Sequence, residues 1–403
     1  MSGLDLNILL LKPYKDLSQS VYQIKESMFN QVAISSFKAA SYLTDMPCEF
    51  HKFCRYSQIA SDLHPTSSKM EIAARKCLYT TKAAVYALRA IFTTIPGIVL
   101  RLTGTYLQKN PWVVEKLGPT KVLSEDGTFT SLFWNICGPS GGYSISDGGV
   151  MPLWSRIDRI VEQVIEKDAD VNCLCEVFDI QHASYLVRKL KEKGYTHFYY
   201  NIHPLPIGVS SGLFVASKYE IANPEFLRFP ADQLVGRTKY SAKGAFFFDL
   251  LSHGKVFATG CTTHMQHSEE CQFSSAEEVL AKQAQMHLIQ NRIKEVAKDR
   301  VFFINGDFNG TPAELKNQEW DVIFESGNLF RDIKTTWDGD EFCAKLVGKR
   351  ASGPLFYDYS MIRKSDFATI STSKVDSGFN SKEFTQKPYS DHDGLWSVIR
   401  CKK

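Results

Sequence analysis

From residue 128 onward the chain repeats one pattern, an apolar run of strand length that ends on a polar residue. FTSLFWN stops at Asn135, VNCLCE at Glu176 and KVFATGCTTH at His264, and VFFING runs into Asp307 and Asn309. Asp391 and His392 stand just ahead of GLWSVIR. THFYYNI, SGLFVAS, GAFFFDLL and PLFYDYSMIR are further strand candidates. Amphipathic helices are expected between some of them, over Arg156–Lys167 and Gln181–Lys193. A longer one is capped by Ser274 with Glu277 three residues on, and Leu280, Ala284, Leu288, Ile293 and Val296 mark its apolar face. Helices interspersed with strands that often follow one another directly predict a mixed α/β layered fold, not a purely parallel sheet.

The chain has 403 residues, enough for one catalytic domain of roughly 250–280 residues plus a smaller region. The expected division is 1–120, helical, and 121–403, catalytic, with a linker between Asn110-Pro111 and Gly127-Thr128. In the first region helices are expected over Gln23–Leu43 and from Ser68 to about Thr94. Its most apolar stretch, residues 83–107, carries Arg89 and Arg101 and a Pro96-Gly97 break. Three readings stay open for it: a helix packed on the catalytic domain, a membrane-surface element, or a membrane segment.

A net charge of +3 lacks the basic excess of a nucleic-acid-binding surface. The ten cysteines have no metal-type spacing, and Cys137, Cys173, Cys175 and Cys261 read as buried thiols. The first twenty residues have no basic segment ahead of their short apolar run and no clear cleavage site. A cytoplasmic or peripheral-membrane location is expected, with export by another route open. No oligomeric state is assigned.

Polar groups at strand ends are where α/β folds place their sites. This set is chemically coherent. Carboxylates hold hard cations such as Mg²⁺ near phosphate, and Glu176 is the natural ligand. His392 or His264 could serve as base for a water, while Asn135, Asn309 and a histidine could meet developing negative charge. Taken singly, each is also an ordinary turn residue, and Asp358 in Tyr357-Asp358-Tyr359 could be a buried structural carboxylate.

The ordered ensemble WNI (134–136), CEV (175–177), TTHMQ (262–266), GDFN (306–309), DYSMI (358–362) and SDH (390–392) resembles the endonuclease/exonuclease/phosphatase superfamily. The resemblance covers about residues 128–400. It implies a DNase-I-like two-sheet α/β sandwich with an amino-terminal helical region and the site at one edge. It also implies roles. Glu176, Asn135 and Asp307 would hold the metal, Mg²⁺ or else Mn²⁺ or another divalent cation, and Asp307 would polarise the water. Asn309, His264 and Asn135 would contact the phosphate, and His392 would act as base, oriented by Asp391 or Asp358. One-metal and two-metal mechanisms both stay open.

Within the superfamily, Ser241-Ala242-Lys243-Gly244 resembles the Ser-Lys-Gly element of neutral sphingomyelinases. Thr263-His264-Met265-Gln266 resembles their Thr-His-Leu-Gln, and Gln283 and Gln285 stand where those enzymes have a Gln-rich helix. The resemblance implies a phospholipase C acting on sphingomyelin, with Lys243 near the phosphate and a peripheral membrane contact through about 83–107. A nuclease or an inositol phosphate phosphatase of the same superfamily is the alternative. One departure is that Thr238 stands where some relatives carry an acid paired with the lysine. A further feature is the glycine-rich insertion GPSGGYSISDGGVMPLW, with Tyr143, Met151 and Trp154, which is a flexible loop over the site, a loop touching lipid, or plain surface.

Overall fold

The computed structural model describes residues 28–41, 46–61, 68–108, 110–139, 141–142, 150–205, 208–268, 274–297, 299–326, 336–337, 356–364, 368–378 and 389–401. Among these, two mixed sheets stack face to face. The first runs in the order β1 (Val113–Lys116), β4 (His197–Tyr200), β5 (Phe214–Ser217), β3 (Val171–Cys175), β2 (Thr128–Asn135), β13 (Gly394–Cys401) and β12 (Ala368–Val375). The second is β10 (Phe324–Ser326), β11 (Asp358–Arg363), β9 (Val301–Asp307), β8 (Lys255–His264), β7 (Gly244–Ser252) and β6 (Glu220–Arg228). Only β2 with β3 and β8 with β9 pair in parallel. Each parallel pair needs a crossover, supplied by α4 (Ile157–Lys167) and α6 (Ala276–Val296).

The strand period of two sorts side chains between layers. Phe129, Phe133, Cys173 and Val215 meet Phe246, Phe248 and Phe303 between the sheets. Their strand neighbours Leu132, Trp134 and Leu174 face outward onto α4 and α5 (Ile180–Lys191). Ala245, Phe247, Phe302 and Ile304 pack against Met286, Ile289 and Ile293 of α6. Burial on both faces is why these strands read as continuous apolar runs. Phe303 lies edge-on to both Phe129 and Phe248. Replacing it by Ala would cost about 3–5 kcal/mol.

Three helices precede the sandwich: α1 (28–41), α2 (Met46–Ser61) and α3 (Lys69–Leu107), the last capped by Ser68, whose hydroxyl accepts from the Glu71 amide. The ends of the expected Gln23–Leu43 helix lie outside the described residues. The expected break at Pro96-Gly97 is absent, and α3 runs through it. Pro96 forfeits one intrahelical bond. The turn beyond is held from outside, because Gly97, Arg101 and Gly104 are buried and Gly104 packs beneath the Phe37 ring of α1.

Other expectations are corrected. The expected linker from 110 to 128 contains a strand, β1, which begins the first sheet at Val113. Its four residues, beside a proline, are too few to show a periodic signal, and pairing with β4 makes them a strand. Ser275 with Glu278, not Ser274 with Glu277, forms the capping box of α6. The buried face of α6 is accordingly Ala281, Gln285, Met286, Ile289 and Ile293, and Leu280 is 65% exposed. In the glycine-rich insertion, residues 140 and 143–149, Tyr143 included, lie outside the described residues. Met151 is buried, and Trp154 lies against the His182 ring.

Candidate active site

Strand register gathers the polar strand ends at one end of the sandwich. Asp307 pairs across to Asp358 on one side and to His264 on the other, and His264 pairs with Gly244, next to Lys243. In the facing sheet Asn135 is level with Cys175, which precedes Glu176, and β13 brings Asp391 and His392 to the same edge. Seven of the nine candidates (Glu176, Lys243, His264, Asp307, Asn309, Asp391 and His392) line one cavity of about 200 Å³. Asn135 and Asp358 lie one hydrogen bond behind its wall.

Asn135 donates from Nδ2 to Asp307 Oδ2 (2.9 Å) and to Glu176 Oε1 (3.3 Å), and its Oδ1 accepts from the Cys137 amide. The amide therefore serves the two carboxylates and is not presented to the cavity. Asp307 Oδ1 accepts from the Asn309 amide (2.8 Å), and Asn309 Nδ2 donates to the Met265 carbonyl (3.3 Å). Glu176 and Asn309 both hold positive φ, 63° and 48°, a conformation that costs a non-glycine residue energy and clusters at functional sites.

Burial, joined by the charge of Asp391, pushes the Glu176 carboxyl up to about 7, against the pull of Lys243 and His392. Asp391 Oδ1 is buried with no hydrogen-bond donor among the described residues. Crowded carboxylates with an orphaned oxygen are what a hard divalent cation satisfies, so the donor set fits such an ion. Asp307, Asp358 and His392 also bring ligand atoms within 4.8 Å of one another.

His392 Nδ1 and Asp358 Oδ2 are 2.8 Å apart, both wholly inside the site. Asp391 Oδ1 is 4.0 Å from Nε2, so Asp358 and not Asp391 orients the ring. Burial opposes charge on His392, yet Asp358, Asp391 and Asp307 outweigh it and hold the imidazole well above its ordinary pKa. Burial lifts the Asp358 carboxyl to about 7 despite His392. The backbone is fastened as well. Trp134 Nε1 donates to the His392 carbonyl (2.8 Å), and Ser390 Oγ donates to the Asn135 carbonyl (2.6 Å).

Lys243 is buried, not a solvated lysine at a strand start, and its ammonium donates to His264 Nε2. Burial draws Lys243 down to about 8, with Glu176 and Asp307 resisting. Burial and the Lys243 charge hold His264 far below its ordinary pKa, so its ring is neutral with the proton on Nδ1. Its Nε2 is 3.6 Å from Asp307 Oδ2 and 3.8 Å from Glu176 Oε1. Thr238 is not an acid paired with Lys243: its hydroxyl bonds to His267 Nδ1 (2.8 Å) and accepts from Gln266 Nε2 (3.0 Å).

Sequence reading missed Arg156 and Lys282. The buried Arg156 guanidinium donates to the carbonyls of Ile136, Cys137, Met151 and Tyr389, tying together the segments that carry Asn135 and His392. Lys282 is buried on α6 and donates to the Asn309 carbonyl. Arg156 immediately precedes α4 and Lys282 lies within α6, places where a cation ordinarily faces water, so no sequence signal set them apart. Phe178, Arg237, Trp337 and Tyr357 also line the cavity.

Fold and site together define a metal-dependent phosphodiesterase hydrolase. The chain belongs to the Endonuclease/Exonuclease/phosphatase family, whose sequence profile matches residues 132–392. No curated protein sequence matches it. Solved structures share the fold. A beta toxin from Staphylococcus aureus with bound magnesium ions is 19% identical, with a TM-score of 0.53 over 68% of this chain and 99% of that one. Sphingomyelinase C from Streptomyces griseocarneus is 17% identical, TM-score 0.54, over 68% and 99%. D. rerio TDP2 complexed with a single-strand DNA product is 15% identical, TM-score 0.51, over 68% and 100%.

Proposed function

We propose that this enzyme is a Mg²⁺-dependent phospholipase C that hydrolyses sphingomyelin to ceramide and phosphocholine. The observation that carries lipid over nucleic acid is the exposed apolar face of α3, attached to the same body as the site. A near-neutral chain and the Lys243-Gly244 element lean the same way. Similarity in fold to a sphingomyelinase C supports the reading, and similarity to a DNA-bound enzyme makes the nuclease its proper competitor.

Glu176 and Asp307, steadied by Asn135 and with Asp391 beside them, would hold the ion. Bound there, Mg²⁺ supplies Lewis-acid stabilisation of phosphate charge. His392 takes the proton of the attacking water at Nε2, while Asp358 fixes the tautomer and supports the imidazolium. Lys243, its ammonium steadied by the neutral His264, would meet the phosphate oxygens, and Asn309 lines the same cavity. Asp307 aligns the water. The enzyme is expected to act at a cytoplasmic or peripheral-membrane location. The test is hydrolysis of sphingomyelin vesicles against plasmid DNA and phosphoinositides, with Mg²⁺ and with EDTA. Phosphocholine release that EDTA stops is expected, and cleavage of DNA alone overturns the proposal.

A further inference from the structure

Helix α3 is built inside out for a helix in water. By length and composition it could cross a membrane. Val85, Leu88, Phe92, Ile95, Val99 and Leu102 alternate three- and four-residue steps along one face and are 48–74% exposed. A helix in water turns such a stripe toward its partner. Here the partner covers the other side. Tyr56 of α2 stacks between Tyr79 and Tyr86 of α3, with ring centroids 6.0 and 5.4 Å apart, and Lys82 lies over the Tyr56 ring. Contiguous exposed apolar surface of this size marks an interaction site.

The same contacts forbid threading through a bilayer. Arg101 and Gly104, near the helix end, are buried against α1 and the catalytic body. Arg101 lines a small cavity with Phe178 and Asn201, and Phe178 also lines the catalytic cavity. A spanning α3 would drag these groups into hydrocarbon. At 1.5 Å per residue the stretch from Leu78 to Tyr106 is about 42 Å long, well beyond the ~30 Å hydrocarbon thickness. Lying flat satisfies every one of these contacts.

We propose that α3 lies in the plane of an anionic lipid surface, its Val85–Leu102 ridge among the upper acyl chains, and so holds the catalytic cavity at the membrane. Charge selects this occupant. Apart from the buried Arg101, α3 carries five cationic residues, Lys69, Arg75, Lys76, Lys82 and Arg89, and one acidic residue, Glu71, a balance that anionic headgroups complement and a second α3 laid alongside repels. Ile91, 71% exposed beside the ridge, makes the stripe wider than a two-helix seam. The inference deepens the lipid-substrate reading, but its test reads binding without hydrolysis. Vesicle binding without sphingomyelin cleavage would refute the substrate and leave this inference standing.

The experiment is flotation of the full chain with phosphatidylcholine vesicles, with and without phosphatidylserine. Wild type is expected to float with the anionic vesicles and to be released by alkaline carbonate. The double variant Phe92→Glu/Ile95→Glu is expected to bind about tenfold or more weakly. It should keep its far-ultraviolet circular dichroism and its turnover of bis(p-nitrophenyl) phosphate, a water-soluble diester. Undiminished flotation of the variant overturns the proposal. So does carbonate-resistant wild type, which would mean a spanning helix. A wild type that ignores vesicles but sediments as a dimer split by the same variant overturns it in favour of a second copy.

Discussion

Replacing Asp358 by Asn isolates the group behind the general base. The Asp358 carboxylate and His392 Nδ1 meet at 2.8 Å, and both residues are buried. The amide is nearly isosteric, so packing is kept while the negative charge is lost. Breaking a buried ion pair costs about 3–5 kcal/mol. If that is felt only when His392 becomes imidazolium, kcat falls by roughly 10²–10⁴-fold at about 1.4 kcal/mol per decade. The pH profile supplies an independent sign. Asp358 helps to raise the His392 pKa. Without it the imidazole gives up its proton at lower pH, so the acid limb of the rate profile moves down while the plateau drops. The assay is steady-state hydrolysis of bis(p-nitrophenyl) phosphate at saturating Mg²⁺ between pH 5 and 9. A loss below about fivefold, with an unmoved acid limb, refutes the role of the pair.

Further outcomes follow from other contacts. Glu176→Gln removes one cation-binding charge and should raise half-saturating Mg²⁺ by about 10–100-fold or more, read by activity titration and by calorimetry. Gly138→Ala would put Cβ 2.0 Å from the Glu176 carbonyl and must displace that loop. A shift near 1 Å should cost about 10²-fold in kcat/KM with little change in Tm. Neither ring nitrogen of the buried His182 has a hydrogen-bond partner among the described residues, and burial, opposed by Asp179, lowers its pKa from 6.5 to about 4. Above pH 6.5 its titration takes nothing from stability, but as pH falls toward 4 the unfolded chain takes the proton first. At pH 5 the loss is about 2 kcal/mol, and urea titrations of His182→Phe at pH 7 and pH 5 should show it removed.

The legible part of the molecule was the part with two faces buried. Strands β2, β3, β8 and β9 announced themselves because apolar side chains pack on both of their faces and a polar site residue stands at the strand end. Strands β1, β6 and β12 stayed hidden because they are sheet edges, with polar exposed faces or, in β1, four residues only. The choice between Asp358 and Asp391 as partner of His392 was open in the sequence because both neighbour it chemically. Register of β11 against β9 decides it by setting Asp358 level with Asp307. Arg156 and Lys282 bond to backbone carbonyls, which any sequence offers everywhere, so only the fold could single them out.

The central claim is that Glu176, Asp307 and His392 form one metal-dependent hydrolytic centre. It is tested most directly by Mg²⁺-titrated hydrolysis of bis(p-nitrophenyl) phosphate by the wild type and by Glu176→Ala, Asp307→Ala and His392→Ala, each checked for folding by circular dichroism. Activity that requires Mg²⁺ in the wild type and is abolished in all three variants is predicted. Wild-type activity indifferent to EDTA, or unchanged activity in any two variants, would contradict it.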